Sequence, residues 1–470
     1  MSNVSDYGAV GDGLADDTEA IQHAINDGDG VIEFPRGTYL ISKPLRVELS
    51  KVGRTSIHGS GGVAKLVMAG PGPAISIEAT HSATADPAGF RPDEWQNERM
   101  PTVDGIEIEG RHPEADGISI VGAMQTTLTR VLIREVRTAV YITKRARNVL
   151  IDSCHFYNNT NIGVHLDSVN LHQTIIADSH ISYCRRGGIR IENSEIRNLQ
   201  ITGNDIEYNN NRAFSKKFPD AEAEATAEIY IDAGEKGTVR EGTISSNTIQ
   251  ATYSSNGANI WMIGGGPNGK HKAGMWTITG NLIGSQCNNI RLQYCRGVNI
   301  TGNYIYSGHN RNVLIEHSRN IVLGSNTIGH NPDYNDKELA TGVRIVDSIN
   351  CNVTGLLIQD AEADGHTIKD AVPLVRDALV EVVRCQRMNV TGCQILDGTP
   401  ISLLFEDCSD VLASSNTVCD QREVKKTTHG IVFRGKGSGN LCCQNRVAGA
   451  TVAAIEDNGI ARLNGNFVDN

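Results

Sequence analysis

Ten short stretches of this chain repeat one pattern in which apolar and outward-facing residues alternate at every second position. In order they are Ile162-Gly-Val-His-Leu-Asp-Ser168, Gly188-Ile-Arg-Ile-Glu-Asn193, Glu228-Ile-Tyr-Ile-Asp232, Asn259-Ile-Trp-Met-Ile263, Asn289-Ile-Arg-Leu-Gln293, Asn312-Val-Leu-Ile-Glu316, Gly342-Val-Arg-Ile-Val346, Leu379-Val-Glu-Val-Val383, Ser402-Leu-Leu-Phe-Glu406 and Gly430-Ile-Val-Phe-Arg434. A second motif, clearest in Ile201-Thr-Gly-Asn204-Asp-Ile206, Ile278-Thr-Gly-Asn281-Leu-Ile283 and Ile300-Thr-Gly-Asn303-Tyr-Ile305, falls between the copies of the first. Where nothing is inserted the period is roughly 22 to 25 residues, the size of one solenoid repeat. Two-residue alternation makes the repeating elements strands and not helices. The sequence therefore predicts an all-β, single-stranded parallel β-helix.

The turns agree with this. Asparagine returns at one position of the second motif, at Asn204, Asn247, Asn281, Asn303, Asn326, Asn416, Asn445 and Asn466, with Cys154, Ser179, Leu356 and Cys393 in the same slot on other coils. Asn tolerates left-handed backbone, and its amide can bond to the copy on the next coil. The 49 glycines suit a chain that turns on every coil, and the 5% of aromatic residues suits a narrow lumen. A solenoid buries each coil only on its neighbours, so 470 residues are read as one domain: a cap and first strands over 1–45, regular coils over 103–449 and a closing cap over 450–470.

Composition narrows the partners. A net charge of −11 argues against nucleic acid, and no stretch is long and apolar enough for a membrane span. Met1-Ser2-Asn3-Val4-Ser5-Asp6 shows neither a basic stretch nor an apolar run, so no signal peptide is read. A cytoplasmic location follows unless the chain is a trimmed secreted protein. The eleven cysteines have no zinc spacing, and Cys295, Cys351, Cys385 and Cys408 are expected at equivalent turn positions as small buried residues.

At the start, Asp16-Asp17-Thr18 can cap a short helix with Ala20, Ile21, Ala24 and Ile25 on one face and Gly28 at its end; Val31 to Ile41 then reads as the first strands. The run Asp6-Tyr7-Gly8-Ala9-Val10-Gly11-Asp12-Gly13, followed by Asp16-Asp17-Thr18-Glu-Ala-Ile-Gln22 and Phe34-Pro35-Arg36-Gly37-Thr38-Tyr39, resembles the opening of the pectate-lyase-like, polygalacturonase-like superfamily. That resemblance implies a right-handed β-helix with an N-terminal capping helix. The same opening precedes hydrolases, lyases and non-catalytic fibres, and trimers are common among them, so the resemblance leaves the reaction open and a homotrimer as one possible assembly. The later coils, through Asn281-Leu-Ile and Asn303-Tyr-Ile, are faintly similar to inulin fructotransferases and difructose-anhydride hydrolases. The polygalacturonase signatures Asn-Thr-Asp, Asp-Asp, Gly-His-Gly and Arg-x-Lys are missing from the central coils, so no catalytic residue carries over.

The site must then come from stacking. Equivalent residues on successive coils lie about 4.8 Å apart. One outward column reads His165, Arg190, Tyr230, Trp261, Arg291, Leu314, Arg344, and the next reads Asp167, Glu192, Asp232, Ile263, Gln293, Glu316, Val346. Three carboxylates in a row repel, and must be offset by flanking cations, a metal or a raised pKa. Adjacent coils give the roughly 5 Å separation of a retaining glycosidase, and a two-coil gap comes close to the inverting range. Asp167, Glu192 and Asp232 are therefore the candidate catalytic acids. His165, Arg190, Tyr230, Trp261, Arg291 and Glu228 are the candidate sugar contacts, with loops at 209–227, 264–272 and 330–337 expected to wall a groove. Segment 81–101, with Arg91 and Trp95, is expected to cover the N-terminal end.

The leading expectation is hydrolysis of a poly- or oligosaccharide, without a cofactor. The alternatives are a lyase or uronate epimerase working through Tyr230, His165 and Arg190, where calcium enters, an internal fructosyl transfer, and a non-catalytic glycan-binding fibre. A rival cluster stacks His155, His180 and Asp205 beside Tyr157, Ser182 and Glu207, where two histidines with nearby acids suit a metal or acid–base work. The acidic run 360–364 reads as a solvated loop.

Overall fold

A computed structural model describes residues 1–82, 89–209, 225–251, 254–331, 342–360 and 376–469. The chain divides into two units, Met1–Thr243 and Ile244–Asn470. Each is a stack of parallel strands in which every coil pairs with the coil before and the coil after. The fold is the expected parallel β-helix.

In the first unit the strand Ile162–Ala177 pairs with Gly187–Glu192, which pairs with Ala227–Asp232. The register aligns Val164 with Ile189 and Ile229, and Leu166 with Ile191 and Ile231. All six side chains are fully buried in the lumen. Each such aliphatic burial stabilises the fold by about 1.5–3 kcal/mol. Because the side-chain period is two, the residues between them face out, and a slip of one residue would bury His165 and Asp167 instead.

The capping helix is present as Thr18–Asp27, with Ile21, Ala24 and Ile25 buried and Gly28 at its C-terminus. Asp17 holds the N-cap position but gives the helix no side-chain bond. Its carboxylate instead accepts the amides of Val10 at 2.6 Å and Gly11 at 3.1 Å, tying the glycine-rich entry to the helix start. Strands Val31–Glu33 and Gly37–Ile41 follow as read. Part of segment 81–101 forms a short helix, Pro92–Asn97.

The turn ladder is as the sequence predicts. Asn281 Nδ2 donates to Asn303 Oδ1 at 2.9 Å, Asn303 Nδ2 to Asn326 Oδ1 at 2.9 Å, and Asn416 Nδ2 to Asn445 Oδ1 at 2.9 Å. In the first unit the same slot works with smaller groups, the Cys154 amide donating to Ser179 Oγ and the Ser179 amide to Asn204 Oδ1. A second internal ladder, at the strand starts of the second unit, links Asn259, Asn289 and Asn312.

The cysteines are free, and Cys295, Cys351, Cys385 and Cys408 are buried. Three of these four share one column through the amide bonds from Cys295 to Ser318, Ser318 to Ser348 and Cys385 to Cys408. Cys351 departs from the expectation, since the register places it against Met388. Residues 450–469 add one more coil of strands, Ala453–Asp457, Ala461–Asn464 and Phe467–Asp469, in register with the coil before. Among the described residues no helix is long and apolar enough to cross a membrane.

Candidate functional site

The predicted columns form. Asp167 pairs with Glu192 and Glu192 with Asp232, while His165 pairs with Arg190 and Arg190 with Tyr230. Flat parallel pairing over three coils thus gathers six chemistry-bearing side chains on one outer face of the first unit.

Flanking cations offset the stacked carboxylates. His165 Nε2 lies 3.0 Å from Glu192 Oε2, and Arg190 reaches both oxygens of Glu192 at 2.8 Å. The His165 hydrogen bond first, and Arg190 after it, outweigh the cost of burial and hold the Glu192 carboxyl down at about 2. At neutral pH Glu192 is a carboxylate. The guanidinium that clamps it also lies over the Tyr230 ring, 4.2 Å from its centroid, a cation–π contact. Burial, with Asp232 and Glu192 nearby, pushes the Tyr230 hydroxyl up to about 12 despite the opposing effect of Arg190.

The two aspartates are held separately. Asp232 accepts the Gly234 amide at 2.9 Å, and the Tyr230 hydroxyl stands 3.5 Å from its other oxygen. Asp167 accepts from the Tyr141 hydroxyl at 3.1 Å and from Ser168 Oγ at 3.0 Å. Tyr141 is a member of this face that the ten repeats do not include. It lies in Val140–Asp152, in register with His165, and its ring centroid is 5.5 Å from that of His165. The signal was present, because Val140-Tyr-Ile-Thr143 carries the same alternation one coil earlier.

Glu228 is not a sugar contact. It is fully buried, and its carboxyl takes the Asn209 amide at 2.9 Å and Asn209 Nδ2 at 2.5 Å. It stands at the strand start, in phase with outward Tyr230, but there the Asn209 contacts hold its side chain inside. Burial pushes it well above the usual carboxylate range.

In the second unit the equivalent repeat positions carry different side chains. Trp261 Nε1 donates to Gln293 Oε1 at 2.8 Å, the Arg291 guanidinium lies 4.7 Å from the Trp261 ring centroid, and Arg291 Nε reaches Glu316 Oε2 at 3.0 Å. Residues 264–272 lie beside this face, and His271 Nε2 sits 3.1 Å from the His317 carbonyl, whose ring stacks on Tyr294 at 4.9 Å. Farther along, Arg344 meets Glu381, a fully buried outward-column residue that also binds Arg311 at 3.1 Å. Of the expected groove walls, residues 210–224 and 332–341 lie outside the described residues, as does most of the acidic run at 360–364.

The rival cluster also stacks in the expected register, His155 with His180 and Asp205, and Tyr157 with Ser182 and Glu207. Burial first, then the Asp205 charge beside it, raise the Glu207 carboxyl to about 7. Burial and the neighbouring ring of His180, 5.0 Å away, lower His155. Among the described residues no group of three or more His, Cys, Asp or Glu side chains converges as a metal ion needs.

Residues 1–77 match the family described as rhamnogalacturonase A/epimerase, pectate lyase-like, and residues 94–217 match the family described as right handed beta helix region. The chain is 48% identical over 56 residues to the non-secreted LysM effector LysM19 of Penicillium expansum, covering 9% of this chain and 4% of that protein. It is 44% identical over 57 residues to a glucan 1,3-beta-glucosidase of Cochliobolus carbonum, covering 9% and 7%. The chain thus matches under a tenth of the length of these curated relatives. Among solved structures, the tailspike protein of E. coli bacteriophage HK620, determined in complex with a pentasaccharide, superposes with a TM-score of 0.50 at 12% identity, over 93% of this chain and 80% of that one. The right-handed parallel β-helix and the pectate-lyase-like opening are therefore shared features.

Proposed function

We propose that the chain is a carbohydrate-active enzyme that hydrolyses a glycosidic bond on the outer face of its first unit. The observation that carries this reading is the Glu192 carboxylate, fixed in its anionic form by His165 and Arg190 between two further carboxyl groups. Glycoside hydrolysis needs one ionised carboxylate, as nucleophile or base, and one carboxylic acid to protonate the leaving oxygen. Glu192, at about 2, fills the first role and is excluded from the second at neutral pH. The proton donor is then one of its column neighbours, Asp167 or Asp232. Pairing with either places the two groups on adjacent coils, roughly 5 Å apart along the stack, a retaining separation.

The remaining residues bind and orient. His165 and Arg190 keep the Glu192 carboxylate ionised and in place, and Tyr141 and Ser168 orient Asp167. The pectate-lyase-like description of residues 1–77 supports a saccharide as substrate class.

Elimination or epimerisation is the second reading, favoured by the epimerase in that same family description and by the Arg190–Tyr230 pair. It asks Tyr230 to remove a proton beside a uronate carboxylate. A phenol held at about 12 supplies little tyrosinate at neutral pH, which weighs against it.

The test is mass spectrometry of products from a panel of neutral and uronate-bearing glycans, with calcium and with a chelator. Products heavier by one water support hydrolysis; unsaturated products without added water support elimination. No product from any glycan removes the enzymatic reading.

A further inference from the structure

The first unit has a second concave surface, one bend away from the carboxylate column. Its long strand Ile162–Ala177 turns at Ser168 and again at Gln173, both with left-handed backbone. The second bend recurs at Asn148, Asn198 and Glu241. Beside it runs a groove of about 400 Å³ lined by Asn148, Gln173, Ile175, Asn198, Gln200 and Glu241.

We infer that this groove is a separate binding site for a neutral oligosaccharide, with its chain laid along the coil stack. The lining is mostly carboxamide. Each Asn or Gln presents a donor and an acceptor, the pairing that vicinal hydroxyls require. Asn148 Nδ2 already donates to Gln173 Oε1, so neighbouring amides are aligned with one another along the groove. Ile175, 38% exposed, gives an aliphatic patch against which a sugar ring can rest.

Spacing and charge narrow the occupant further. Four successive coils contribute, and a coil rise of about 4.8 Å is close to the length of one pyranose in an extended chain, so about four sugars fit, one to a coil. The adjacent basic column, Arg147, His172 and Arg197, is already engaged and does not ask for an anion. Arg147 lies over the Phe90 ring at 5.2 Å, Arg197 binds Thr238 Oγ1 at 2.7 Å and Glu195 at 2.9 Å, and burial lowers His172. Glu241 sits 4.0 Å from Arg197. A site with paired charges and open amides suits hydroxyls better than uronates, phosphates or nucleic acid. Such a site would hold a polymer on the enzyme away from the cleaving face.

Calorimetric titration of the full chain with cellohexaose, laminarihexaose, maltohexaose and inulohexaose tests this, using wild type, Glu192→Gln, Ile175→Glu and Gln200→Ala. The expected result is that at least one hexasaccharide binds wild type and Glu192→Gln alike. Ile175→Glu should weaken that binding at least tenfold, and Gln200→Ala should weaken it severalfold while circular dichroism stays unchanged. Binding lost in Glu192→Gln but kept in both groove variants overturns the inference and leaves the cleaving face as the sole glycan site. Absence of binding by all four hexasaccharides at millimolar concentration overturns it as well. Because Glu192→Gln cannot turn over substrate by the proposed route, failure of the hydrolytic reading leaves this binding result standing.

Discussion

Glu192 Oε2 lies 3.0 Å from Nε2 of His165, which projects from the preceding coil, and the same carboxylate is gripped from its own strand by Arg190. This contact holds the Glu192 carboxyl in its ionised form.

Removing His165 takes away the largest influence holding Glu192 at about 2. In His165→Ala the folded value of Glu192 moves up toward the ordinary 4.5, so the acid limb of kcat/KM shifts to higher pH. A pH–rate profile of both proteins checks this, and an acid limb that stays put contradicts it. Glu192→Gln should lower kcat by about 10²–10⁴-fold and also lower the melting temperature at neutral pH, because the ion pair with Arg190 is lost.

Tyr230→Phe separates the two enzymatic readings. The phenyl ring keeps its place under Arg190, and the long contact to Asp232 is lost. Hydrolysis by paired carboxyls should lose less than about tenfold in kcat, whereas a tyrosine base would cost about 10²–10⁴-fold. Steady-state kinetics on the best glycan of the panel distinguishes these.

Glu207 gives the fold a pH dependence. Burial and Asp205 raise it to about 7 from an ordinary 4.5. Its protonated form is the one the fold accommodates, so its contribution is complete below the unfolded value and is lost as pH rises through about 7. Buried Glu228, also raised, acts in the same direction. The melting temperature should fall between about pH 5 and pH 8, and Glu207→Gln should flatten that fall. Equal slopes for the two proteins would argue that Glu207 does not titrate there.

Asn303→Ala tests the ladder. Its amide donates to the Ile278 carbonyl at 3.0 Å and to Asn326, and its oxygen accepts the Asn281 amide at 3.0 Å. Truncation leaves several buried partners unpaired and should cost about 3 kcal/mol. Urea unfolding monitored by circular dichroism measures it.

Much of this was legible in the sequence because β-helix geometry is nearly one-dimensional. Alternation decides which side chain faces out, and the repeat period decides which residues become neighbours. Hence Asp167, Glu192 and Asp232 could be aligned in advance, as could His155, His180 and Asp205. What alternation cannot supply is the lateral reach of a side chain. That His165 would cross to Glu192, and that Arg190 would both clamp Glu192 and cover Tyr230, depends on rotamers chosen by the whole face. Glu228 failed as a sugar contact because the strand start is itself part of the internal ladder, where Asn259 and Asn289 stand on other coils. Tyr141 was missed for a simpler reason, since its repeat lay one period before the first one recognised. At the helix start it is Asp16 that accepts the Thr18 amide, at 3.0 Å, because Asp17 is used by the amides of Val10 and Gly11.

The most direct test of the central claim is cleavage in water enriched in ¹⁸O, with products weighed by mass spectrometry. Hydrolysis through Glu192 and a flanking aspartic acid predicts one ¹⁸O in each new reducing end and no label incorporation with Glu192→Gln. Unsaturated products without ¹⁸O, formed equally well by Glu192→Gln, would contradict the account.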